Sequence, residues 1–112
     1  MKDYLLLFRA DYSAMPEASS DEMQARTKSW MDWMGGIAAQ NKLKDAGNRL
    51  HSDGKVIKPN GMITDGPYTE IKESILGYSI VKASSFEDVV ELTKGCPILT
   101  SGTLEVREID PM

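Results

Sequence analysis

The segment Tyr4-Leu5-Leu6-Leu7-Phe8 limits what this chain can fold into more than any other. It falls far short of the roughly 18 apolar residues that span a bilayer. It is also shorter than a signal-peptide core, and no small-residue cleavage site follows. It reads instead as an opening strand over residues 3–9. Strand side chains alternate between faces, so Tyr4, Leu6 and Phe8 share one side, and Leu5 and Leu7 the other. Both faces therefore need cover. Two helical patterns follow, and two helices on one face leave the other bare. A second copy packed sheet to sheet is the simplest cover, so the sequence predicts a homodimer.

The first helical pattern opens with the capping box Ser19-Ser20-Asp21-Glu22, after a polar loop over residues 10–19. Met23, Thr27, Trp30, Met34, Ile37 and Ala38 recur at helical spacing, and Met31 and Trp33 widen the stripe. Gly35-Gly36 lies inside it, at about 1 kcal/mol per glycine relative to alanine. The helix is expected to end near Leu43 to Asp45, with Gly47 as its stop. Short β segments follow from Asn48, broken at Asp53-Gly54 and Asn60-Gly61, both strong hairpin signals. Leu76, Tyr78 and Ile80 alternate with Gly77, Ser79 and Val81 in a strand over residues 74–83. Leu50, Val56, Tyr78 and Val81 are further apolar candidates for the uncovered side.

Ser84-Ser85-Phe86-Glu87 reads as a second capping box. Its helix carries Phe86, Val89, Val90 and Thr93 on one face and stops at Lys94-Gly95, before Pro97. A last strand covers residues 103–109. The order β-α-β-β-(β)-β-α-β predicts an α+β ferredoxin-like sandwich, an antiparallel sheet with two helices on one face. At 112 residues and 41% apolar content, residues 1–112 form one domain.

Composition narrows the function classes. Cys96 is the sole cysteine and His51 the sole histidine, which excludes an intramolecular disulfide and a Cys/His zinc cluster. No calcium-type ligand loop is visible, and no metal or cofactor is expected. With a net charge of −4 and basic residues scattered among acids, the chain lacks the basic stripe that nucleic acid needs. No membrane association is expected, and a cytoplasmic location follows by default.

The densest run of ionisable groups is Thr64-Asp65-Gly66-Pro67-Tyr68-Thr69-Glu70-Ile71-Lys72-Glu73. Asp65 either accepts backbone N–H bonds in the turn that Gly66 and Pro67 fix, or is aimed with Tyr68 and Glu70 into a cleft beside Lys72. Glu70 and Lys72 share a side in extended geometry, where an ion pair is the plain outcome. A catalytic Glu70 requires burial or a like-charged neighbour to raise its pKa. His51 is either a solvated hairpin residue or a base, being the one side chain whose ordinary pKa lies near neutrality. Cys96 follows a helix and lacks N-terminal dipole activation, so burial is expected. Trp30 and Trp33 are core or pocket wall. Arg9 and Arg107 either bind an anion or pair with Asp11 or Glu105.

Tyr4-Leu5-Leu6-Leu7-Phe8-Arg9, Trp30-Met31-Asp32-Trp33-Met34, the 64–73 run, Gly77-Tyr78 with Ile80-Val81, and Gly95-Cys96-Pro97 with Leu104-Glu105-Val106-Arg107 form an ordered set. Together they resemble the YCII-related superfamily, in its subgroup named for an Asp-Gly-Pro-Phe motif. Tyr68 stands where that subgroup usually has Phe. The resemblance implies a dimeric α/β-barrel with a pocket in each protomer. Some members carry a His–Asp pair in the first half of the chain; here no histidine precedes His51, so that pair does not transfer. Relatives are sometimes encoded beside, or fused to, sigma factors of the extracytoplasmic-function type.

Three functional readings follow. The first is a small-molecule-binding dimer, with or without weak enzymatic activity. In it Asp65, Glu70 and His51 are the catalytic candidates, and Tyr68, Lys72, Arg9 and Trp30 the ligand-binding ones. The second is a regulatory module acting with a sigma factor. The third is a structural dimer without ligand.

Overall fold

The computed structural model describes residues 1–11, 19–66 and 74–111. Tyr68, Glu70 and Lys72 lie outside the described residues, as does most of the loop expected over residues 10–19. The elements are β1 (Lys2–Ala10), α1 (Ser20–Ala39), β2 (Leu43–Arg49), β3 (Lys55–Ile57), β4 (Ile63–Asp65), β5 (Ser74–Ala83), α2 (Phe86–Thr93), a 3₁₀ turn (Pro97–Thr100) and β6 (Thr103–Glu108). The sheet runs β2-β5-β1-β6 with antiparallel pairing throughout, and β3-β4 form a separate hairpin. This α+β arrangement is compatible with a ferredoxin-like fold.

One face of β1 builds the core. Tyr4, Leu6, Phe8 and Ala10 are buried with Val81 and Ala83 of β5, under Ile37, Val89, Leu92, Cys96 and Ile98. Both helices lie on this face: Phe86 of α2 meets Tyr4 edge-on at 5.1 Å, and Trp30 of α1 meets Phe8 at 4.9 Å. Trp33 ties the helices together by donating from Nε1 to the Leu92 carbonyl at 2.9 Å. Val81 is fully buried here, so it belongs to the covered side and not to the bare one.

The first helix is shorter than its sequence suggests, ending at Ala39. Asn41 takes a φ of 62°, Lys42 N–H donates to the Ile37 carbonyl, and Asn41 N–H donates to the Ala38 carbonyl. This is a Schellman stop with asparagine in the left-handed position that glycine usually fills. The chain then turns directly into β2, and Gly47 sits inside that strand. Its φ is +75°, and a Cβ there would lie 1.7 Å from the Tyr78 carbonyl oxygen. Irregular pairing with β5 requires this glycine, not a helix stop.

The second helix is capped one residue later than its Ser-x-x-Glu pattern indicates. Ser85 Oγ accepts from Asp88 N–H at 3.2 Å. Asp88, in place of Glu87, reaches back to Ser84 N–H and also takes Lys42 Nζ at 2.9 Å. These two donors, Lys42 first, hold the Asp88 carboxyl below its ordinary range. Val89 and Leu92 point inward, while Phe86 and Val90 remain about half exposed.

Candidate functional site

The second face of the sheet carries the other half of β1. Leu5 pairs opposite Ile80, and Leu7 opposite Tyr78, and all four are only half-buried. Neither helix lies on them. A bulge in the β1–β5 ladder leaves Leu76 without a partner in β1, packed against the core, and puts Ile75 opposite Arg9. Leu76 thus leaves the alternation that its sequence suggests.

A polar rim surrounds this apolar centre. Asn48 Nδ2 donates to Tyr78 Oη at 3.3 Å, and Lys44 Nζ donates to Asp3. Arg9 Nε donates to Glu105 Oε1 at 2.9 Å, and Arg107 lies 3.6 Å from the other Glu105 oxygen. The face thus has an apolar, half-buried centre and a hydrogen-bonded, charged margin. The chain exposes 7,952 Å², against roughly 6,100 Å² for a compact monomer of its mass.

The expected site residues scatter over three places. Asp65 ends β4 and accepts from Lys55 Nζ at 2.7 Å, with its side chain 90% exposed. The following Gly66 takes a φ of +83° and bonds back to the Gly54 carbonyl, closing the hairpin base. His51 is exposed, and its Nδ1 accepts from Asp53 N–H at 3.2 Å, which leaves Nε2 as the protonated nitrogen when the ring is neutral. No hydrogen bond or ion pair joins His51 to Asp65 among the described residues. Arg9 lies on the sheet's second face in its ion pair with Glu105. Trp30 is half-buried in a three-ring cluster with Phe8 and Trp33, a wall of the core.

Asp65 and Arg9 thus mark two separate places within one protomer. The Asp65 carboxylate faces solvent and its described partner is the Lys55 ammonium. Among the described residues no cluster of acidic, histidine or cysteine side chains is arranged to hold a metal. Cys96 is buried, and burial pushes its thiol up to about 11, the opposite of an activated nucleophile. The Lys42–Asp88 pair had no signal in the sequence, since its partners stand 46 residues apart. Among the described residues no helix is long and apolar enough to cross a membrane.

The fold is that of a small α+β protein with two helices and an antiparallel sheet, compatible with the ferredoxin-like type. The family model for the YCII-related domain matches residues 4–112, and the chain belongs to that family. No curated protein matches it significantly.

Proposed function

We propose that the chain works as a cytoplasmic homodimer, a single domain of 112 residues, that binds a small molecule beside the segment beginning at Asp65. The observation that carries this reading is the half-buried Leu5, Leu7, Tyr78 and Ile80 centre inside its polar rim. Pairing that face with a second copy makes the dimeric α/β-barrel of the family resemblance, and Asp65-Gly66-Pro67-Tyr68 assigns the chain to the Asp-Gly-Pro-Phe subgroup.

In this reading the hairpin base holds Asp65 in place through Lys55. Tyr68 and Lys72 supply donors to the ligand, and Glu70 partners Lys72. Arg9 supplies the charge that selects an anionic group. A thermal-shift screen of the wild-type protein against a metabolite library tests it. The expected result is stabilisation that grows with ligand concentration and weakens in Lys72→Ala and Arg9→Ala. A screen in which no compound shifts an intact dimer identifies a structural dimer without ligand.

A further inference from the structure

Helix α1 is partnered over only half its length. Trp30, Trp33, Met34 and Ile37 pack on the core, yet every residue from Ser20 to Ser29 is exposed. The inward stripe continues through that exposed half, where Met23 and Thr27 lie in line with Trp30 and Met34 at helical spacing. Met23 is 58% exposed and the flanking Met31 68%. This is a core-type face without a core beneath it.

The hairpin is a second apolar feature without cover. Ile57 and Ile63 pair across β3 and β4 on one face, 73% and 59% exposed, and Met62 beside them is 53% exposed. Among the described residues, neither strand packs extensively on the main sheet or on a helix.

We propose that the β3–β4 hairpin of one copy seats its Ile57, Met62 and Ile63 on the overhanging Met23–Met31 face of α1 in the other copy. This rests on the dimer reading above. The dimensions match: the eight helical steps from Met23 to Met31 rise about 12 Å, and a three-residue strand runs about 10 Å. Charge matches as well. Lys58 at the hairpin turn has no ion pair among the described residues, and neither do Asp21 and Glu22 in the first turn of α1. With Met62 over Met23, Lys58 meets those carboxylates.

Met23→Cys and Met62→Cys proteins, one isotope-labelled, are mixed, allowed to exchange subunits and treated with a short bismaleimide. Buried Cys96 is a spectator, and circular dichroism checks each fold. The expected product is a linked Met23–Met62 peptide pair joining a labelled to an unlabelled chain. Lys58→Glu is expected to lower its yield several-fold, and Glu22→Lys in the partner to restore it. A dimer by sedimentation that gives no such link overturns the hairpin contact and leaves the dimer standing. A monomer at all concentrations overturns both.

Discussion

The two faces of the sheet are cut from the same strands but meet different surroundings. Tyr4, Leu6 and Phe8 are buried under two helices, whereas Leu5 and Leu7, one residue away on the same strand, are left half-covered. Composition does not separate them, since both sets are apolar. Their rims do. The covered face ends in helix caps and the Lys42–Asp88 pair, and the open face ends in ion pairs and an Asn48–Tyr78 bond in the plane of the sheet. Helices complete one face within the chain, and the other is left half-covered inside a rim of ion pairs.

Mutating matched positions sharpens this contrast. Leu6→Ala, which empties a fully buried site, is expected to lower unfolding free energy by about 2–5 kcal/mol at any protein concentration. Urea melts at two concentrations measure it, and a loss that depended on concentration would blur the distinction between the faces. Gly47→Ala comes next. The added methyl meets the Tyr78 carbonyl and must sit at a positive φ, so a loss of roughly 2–4 kcal/mol is expected, with β2 amides losing protection from hydrogen exchange first.

A pH series probes the edge of the covered face. The Lys42 ammonium and the Ser84 N–H hold the native Asp88 carboxyl below its ordinary 3.8, so its contribution is present above that value and is lost as pH falls through the native pKa. Asp88→Asn is expected to melt below wild type at neutral pH, and the gap is expected to close in strong acid. A gap independent of pH would assign the effect to capping alone. The smallest change expected is a gain. Gly35 and Gly36 lie in the helix with open space where a Cβ would sit, so Gly36→Ala is expected to add about 0.5–1 kcal/mol by denaturant melt.

Much of this architecture was legible in the residues. The strand expected over residues 74–83 has the same bounds as β5, and Ser19 caps α1 through Glu22 N–H as its box indicates. The bare second face followed from β1 alone, because alternation is a local property. What stayed hidden depends on tertiary context. Asn41 ends α1 in a role that glycine usually has, and Gly47 answers to a carbonyl 31 residues further along the chain. The Leu76 bulge moves one side chain out of alternation, and pattern alone does not encode a bulge. The candidate site was less legible than the fold. Asp65 was a candidate for its turn and His51 for its residue type, and the structure directs Asp65 to Lys55 and His51 to Asp53. Arg9 finds Glu105 because antiparallel β6 runs beside β1.

The central claim is that the Leu5, Leu7, Tyr78 and Ile80 face is closed by a second copy. Sedimentation equilibrium of the wild type beside Leu7→Asp tests it most directly. The account predicts twice the 12.4 kDa chain mass for the wild type at micromolar concentration. Leu7→Asp is predicted to give a folded species at the single-chain mass, because a charge at the centre of a dry interface has no partner there. A wild type that sediments as one chain, or a Leu7→Asp variant that stays fully dimeric, would contradict it.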